Sequence, residues 1–308
     1  MNARKSGFIQ PSSWLQVVVI TTIFAGLFFG LRSLPNAKCG FLHYEVTEVL
    51  ADGTEVCAAT NHAKFIDLDA LSFPVEMDLN YEGPVRAGEK TEFFLRFLDR
   101  NGNPLLPHEL AITHTERIHL MVVDRSLGDY HHIHPEPVGN NGDFRFFFEP
   151  AHGGSYRFFG EIVPVRTKRQ VVASTFLEVD GAPPVPYFEE VGGVSLKSQW
   201  NEYQFELIPD KETFRKSRDN PFRLRVTRED GSEVDLQETM GAQAHLVAFD
   251  SGKSGFAHMH PASLEPVMGT EPTVPFYFYT PKRGLHRLWA QVRLEDQDVF
   301  VPFDLQVQ

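Results

Sequence analysis

Two matched sets of histidines carry the most reactive chemistry in this chain. The first set reads His119-Leu-Met-Val-Val-Asp124 and then Tyr130-His-His132-Ile-His134-Pro135. The second reads His245-Leu-Val-Ala-Phe-Asp250 and then Phe256-Ala-His258-Met-His260-Pro261. His245 stands 126 positions after His119, and Asp250, His258, His260 and Pro261 keep that offset from their counterparts. An ungapped recurrence of this kind marks a tandem duplication. Imidazole is the commonest protein ligand for transition metals, and three in one patch suit copper or zinc.

For three imidazoles to converge, they must share one face of a hairpin. Residues two apart on a strand point the same way. Placing His119 opposite His134 and Met121 opposite His132 brings His119, His132 and His134 within cross-strand reach. The second repeat does the same with His245 opposite His260 and Val247 opposite His258. A slip of one residue would turn one strand's set to the other face. Met240 lies five positions before His245, and His114 holds the equivalent place before His119. Both are candidate fourth ligands, the thioether favouring Cu(I). Met121 is a further soft candidate, whereas His131 and Met259 fall on the opposite face. No cysteine lies in either motif, which excludes a blue-copper site built within them.

The competing account is structural. Histidines beside proline can fix a corner by bonding backbone groups, and Asp124 and Asp250 can cap their turns. Catalysis finds little support. No Gly-x-Ser-x-Gly elbow, His-Glu-x-x-His or phosphate-binding loop occurs, and no enzyme activity is expected. His108, His152 and His286 stand alone and are expected at the surface, and His43 and His62 are expected at the surface or hydrogen-bonded. Glu189 and Glu190, beside a Pro-rich stretch, are expected to be solvated.

The elements that would carry these motifs are strands. Of 308 residues, 42% are hydrophobic and 27 are Phe, with many Pro and Gly between short apolar runs. Strand patterns fall at 74–79, 91–98, 119–124, 143–148, 155–162 and 174–179, and again at 203–208, 222–226, 245–250, 274–279, 285–292 and 299–305. Residues 285–292 are matched to 156–163. Such spacing predicts an all-β chain of two immunoglobulin-like sandwiches. The net charge of −12 and the lack of a basic patch argue against a nucleic-acid partner.

Arg4 and Lys5 precede an uncharged, mostly apolar run at 14–31, closed by Arg32. Its 18 residues predict a membrane-spanning signal anchor, N-terminus in the cytoplasm and the rest outside. A cleaved signal peptide is the alternative, and either way the repeats are exported. Cys39 and Cys57 flank two strand-like runs around Asp52-Gly53 and suit a disulfide in an oxidising compartment; a redox or metal thiol pair is the other option. The expected organisation is therefore 1–32 cytoplasmic N-terminus and transmembrane anchor, 33–72 membrane-proximal segment, 73–180 first sandwich, 181–193 Pro-rich linker and 194–308 second sandwich.

The HL-x-V strands and H-x-HP segments resemble those of the YtkA-like group of bacterial envelope proteins with immunoglobulin-like domains. That resemblance covers the motif regions alone. It implies heavy-metal handling, copper above all, at His119, His132, His134, His245, His258 and His260. The expected function is metal binding in the periplasm, copper first and zinc second. Its rival is an interaction or scaffold module that docks an envelope protein and uses its histidines structurally.

Overall fold

The computed structural model describes residues 13–33, 47–49, 55–57, 64–184, 193–265 and 267–308. It divides into two compact units, Met1–His43 and Tyr44–Gln308. The described part of the first is the helix α1 (Ser13–Ser33). Among the described residues no helix is long and apolar enough to cross a membrane, which corrects the spanning anchor expected at 14–31. Polar Gln16, Thr21 and Thr22 and two glycines, Gly26 and Gly30, dilute the run. The Thr22 hydroxyl turns back to donate to the Val18 carbonyl at 2.8 Å.

Among its described residues the second unit is built of β-strands, apart from one 3-10 turn at Pro107–Glu109. Strands β1 (Thr47–Val49) and β2 (Glu55–Cys57) pair antiparallel, as the Asp-Gly turn predicts. Cys39 and the Cys57 side chain, and with them the expected disulfide, lie outside the described residues. So do His43, His62, Glu189 and Glu190. Next comes β3 (Ile66–Asp67).

The first repeat runs through β4 (Val75–Tyr81), β5 (Thr91–Asp99), β6 (Ile118–Asp124), β7 (Tyr130–Ile133), β8 (Glu136–Val138), β9 (Asp143–Phe148), β10 (Gly154–Ile162) and β11 (Val171–Val179). Its two sheets have the orders β4-β5-β9-β8 and β11-β10-β6-β7. This is the strand order of an immunoglobulin sandwich with one extra edge strand. Alternation explains the many phenylalanines. Phe93 and Phe97 on β5 and Phe144, Phe146 and Phe148 on β9 point inward into one core with Leu120, Val122 and Phe158.

The second repeat comprises β12 (Lys197–Trp200), β13 (Tyr203–Pro209), β14 (Asn220–Arg228), β15 (Ala244–Asp250), β16 (Gly255–Met259), β17 (Thr273–Phe278), β18 (Gly284–Leu294) and β19 (Gln297–Val307). Its sheets are β12-β13-β14-β17 and β19-β18-β15-β16-β3. Strand β3, which precedes the first repeat in sequence, thus closes the edge of the second. Gly255 permits this, because a Cβ there would collide with the Ile66 carbonyl. The segment expected near the membrane therefore ends in a strand of the second sandwich.

The two sandwiches pack through their β6 and β15 sheets. All seven residues of β6 and all seven of β15 are buried, because each strand is covered on both faces. Leu120 and Val122 enter their own core, while Met121 and Val123 meet Val247, Phe249 and Phe256 of the other repeat. The contacts obey an approximate two-fold relation. Tyr130 stacks on Trp289 at 5.6 Å, and Phe256 meets Phe159 at 5.3 Å. Arg287 Nη1 donates to the Leu127 carbonyl at 3.3 Å, and Arg157 Nη1 donates to that of Lys253. Burying each large apolar side chain contributes about 1.5–3 kcal/mol. With eleven such residues buried in this cluster, the interface holds the repeats together rather than leaving them hinged.

Strand pairing also corrects one alignment. Tyr156 lies opposite Asp124, and His286 lies opposite Asp250. The counterpart of Tyr156 is therefore His286, one residue later than the pattern suggested. His286 is fully buried rather than at the surface, held by the Thr280 hydroxyl at 3.3 Å and the Gly284 carbonyl at 3.1 Å.

Candidate metal centre

Each histidine set sits on a hairpin whose turn is tied by an aspartate. Asp124 accepts from the backbone N–H groups of Ser126, Gly128 and Asp129, and Asp250 accepts from that of Ser254. The turns fix the register. Met121 lies opposite His132 and Leu120 opposite Ile133, so His119 faces His134 one step on. Val247 lies opposite His258 and Leu246 opposite Met259, which puts His245 across from His260. This is the register the sequence predicts, and it sets three imidazoles on one face in each repeat.

The rings are pinned on one side. His119 Nε2 donates to the Thr113 carbonyl at 3.0 Å, and His245 Nε2 donates to that of Thr239 at 3.0 Å. Both carbonyls belong to tight two-residue turns with positive φ at each central residue: His114 at 47° and Thr115 at 72°, Met240 at 50° and Gly241 at 76°. His132 Nδ1 donates to Gln291 Oε1 at 2.8 Å, while Gln291 Nε2 donates to Asp298 Oδ2 at 3.2 Å. His258 Nδ1 lies 3.4 Å from Glu161 Oε2. These contacts cross between repeats, since Gln291 serves a first-repeat histidine and Glu161 a second-repeat one. By strand pairing Glu161 faces His119 and Gln291 faces His245, so the two are counterparts.

The other side of each ring is left to the interior. His119 Nδ1 and His132 Nε2 lie 3.2 Å apart. With the opposite nitrogens already donating, two lone pairs face each other and no proton lies between them. His134 Nε2, His245 Nδ1 and both ring nitrogens of His258 are buried without a hydrogen-bond partner among the described residues. Within each set, one ligand atom per histidine lies within 4.8 Å of the others, so His119, His132 and His134 could hold one ion and His245, His258 and His260 another.

The sets are not separate. His258 lies 5.3 Å from His119 and 5.2 Å from His132 by ring centroids. Within the sets, His119 and His132 are 5.3 Å apart and His258 and His260 are 4.6 Å apart. His114, expected beside the first set, instead stacks on His260 at 3.6 Å and stands 6.0 Å from His119. The His114 ring thus lies face to face on His260 of the second set. Met240 sits half-buried in the counterpart turn. Met121 and Met259 are buried in apolar clusters. His131 points away, with Nε2 2.9 Å from Asp129 Oδ1. His108 is exposed and His152 half-buried.

Burial sets the protonation of the cluster. It pushes the pKa of His119 down to about 4 and those of His114 and His134 down to about 3, with neighbouring histidines adding to the shift. His132, His245 and His260 are lowered well below the ordinary value for the same reasons. These six rings are therefore neutral at physiological pH, the state that coordinates metal. Burial raises the pKa of Glu161, but the neighbouring His258, whose Nδ1 lies 3.4 Å from Oε2, outweighs this and holds it below the usual carboxylate value. Glu161 and Gln291 were not singled out from the sequence. Their signal is the polar residue in the apolar runs Gly160-Glu161-Ile162 and Ala290-Gln291-Val292, visible only in the right alignment.

Comparison with known proteins adds a family. The model of a family described as "Domain of unknown function (DUF8832)" matches residues 74–181 and again 198–308. No curated protein matches. Among solved structures, Salmonella alpha-2-macroglobulin reacted with methylamine is similar at 10% identity and a TM-score of 0.25, over 76% of this chain and 16% of that one. An ICAM-5 D1–D4 ectodomain fragment is similar at 12% identity and a TM-score of 0.23, over 76% of this chain and 53% of that one. The chain thus spans less than two thirds of either protein.

Proposed function

The chain belongs to that family and carries its domain twice, and on this footing we propose that it binds transition-metal ions, copper first and zinc second, without catalysing a reaction. The ligands are His119, His132 and His134 in one set and His245, His258 and His260 in the other. The observation that carries this reading is the pair of facing lone pairs on His119 and His132, 3.2 Å apart. Two nitrogens bound at roughly 2.0–2.1 Å to one tetrahedral ion lie about 3.3 Å apart. A purely structural role would leave that pair repelling and four more buried ring nitrogens unsatisfied. Imidazole sets without thiolate suit copper and zinc, and the affinity order of divalent ions puts Cu(II) ahead. The resemblance to the YtkA-like group points the same way.

Replacing His258 and His260 together with Ala removes the second set's ion and leaves the strands in place. Titration calorimetry of the whole Tyr44–Gln308 unit with copper, followed by circular dichroism, checks this. Should the unaltered protein bind neither copper nor zinc, the histidines are structural and the interaction-module reading takes over.

We place this activity outside the cytoplasm. The support is in the sequence, where Arg4 and Lys5 precede the apolar residues of α1 in the manner of an export signal. A C-terminal reporter that works only after export is expected to be active. Activity of a reporter that works only in the cytoplasm would refute the location.

A further inference from the structure

We propose that the two histidine sets form one binuclear centre whose ions share a small oxygen anion, hydroxide in the simplest case, with Glu161 as its built-in negative charge. This rests on the metal-binding reading and goes beyond it, since two independent sites would satisfy that reading equally well.

Three observations lead here. The first is proximity. The separations between sets, 5.3 Å for His119–His258 and 5.2 Å for His132–His258, fall within the range of those inside a set, 4.6–5.9 Å. Ions held by the two sets are therefore neighbours. The second is coordination. Three imidazoles leave each ion one open position, and the nearest neighbour of either set is the other. The third is charge. The carboxylate built against the sets is the buried Glu161, whose Oε2 lies 3.4 Å from His258 Nδ1. Two divalent ions in a buried site repel each other strongly through a low dielectric, and one carboxylate offsets a quarter of their charge. An anion between them lowers that repulsion and fills both open positions, as in the two-metal sites of many hydrolases.

The approximate two-fold symmetry is broken where it affects charge. His258 leans on the carboxylate of Glu161 at 3.4 Å, whereas His132 leans on the neutral amide of Gln291 at 2.8 Å. A carboxylate behind a ligating imidazole makes it a stronger donor. The set of His245, His258 and His260 therefore fills first, and the second ion arrives with the bridge.

The test uses the full chain, freed of metal and loaded with Cu(II) at neutral pH. Metal analysis gives the stoichiometry, and electron paramagnetic resonance gives the spin count. One equivalent should give one full spin of a mononuclear site. Two equivalents should leave two bound copper ions but lose most of the signal, because a bridged Cu(II) pair couples antiparallel. Glu161→Gln should weaken the first binding step by roughly 10–100-fold and abolish the preference between sets. Two bound ions with two full, uncoupled spins would overturn the bridged centre and leave metal binding standing. One ion per chain at saturation would overturn it as well. No retained copper or zinc would instead defeat the metal-binding reading beneath it. The spin count on the unaltered chain decides the matter even if the Glu161 variant folds poorly.

Discussion

As pH falls from 6.5 toward about 4, the metal-free protein loses stability and unfolds. In the unfolded chain each histidine takes a proton near its ordinary value of 6.5, whereas in the fold His119 resists to about 4 and His114 and His134 to about 3. Between those limits the unfolded state binds more protons, so stability decreases as pH decreases. Above 6.5 both states are neutral and the effect vanishes. Each such group contributes roughly 1.4 kcal/mol per pH unit. His132, His245, His260 and the separate His286 are lowered in the same direction. Several groups acting together can consume a total stability of roughly 5–15 kcal/mol within two or three pH units. Urea midpoints measured across this range check the claim, and a flat profile down to the lower limit would refute it. His134→Ala should flatten the slope by about one group's share. Bound copper should move the transition to lower pH, because it binds only the folded, deprotonated rings.

The second large effect is expected from Arg287→Ala. Arg287 is 1% exposed and Asp304 2% exposed, and they form a two-pronged ion pair at 2.8 and 2.7 Å. Removing one partner strands a buried charge, which costs about 3–5 kcal/mol. The substitution also removes the bond from Arg287 to Leu127 across the repeat interface. The melting temperature should fall by an amount on the order of 10 °C. Replacing both partners with apolar residues of similar volume, Arg287→Met with Asp304→Leu, should recover most of that loss. A single variant within about 1 kcal/mol of the parent protein would show that the pair is hydrated or rearranged.

Much of this architecture can be read in the sequence because strand periodicity is local. The runs at 91–98, 143–148 and 203–208 all became strands, since alternation of Phe or Leu with polar residues has no other stable home. The hairpin register was also legible, because proximity of His119 to His134 follows from turn length and a two-residue period. The meeting of the two repeats was not. It depends on which sheet face is apolar enough to bury, and the seven-residue run of β6 does not say that its second face will be covered by another domain. The one-residue slip in matching 285–292 to 156–163 had a specific consequence. It set Glu161 against Ala290 instead of Gln291 and hid the pair of polar groups that reach across the interface. The placement of β3 was equally out of reach, since two residues carry too little pattern to announce a partner nearly 190 positions away.

That short strand changes how the chain is threaded. Counting from β3, the polypeptide touches the second sandwich first, builds the first sandwich completely, and then returns to finish the second. The second sandwich is thus not a continuous stretch of sequence, and the Pro-rich connection at 181–193 is not the only link between the two. A break there would leave two fragments clasped like a buckle, with Ile66 and Asp67 still lying on Phe256 and Gly255. It follows that the second sandwich cannot complete its edge without a strand from upstream of the first. The order in which the ribosome delivers the chain then leaves β3 without its partner strand until β16 has been made.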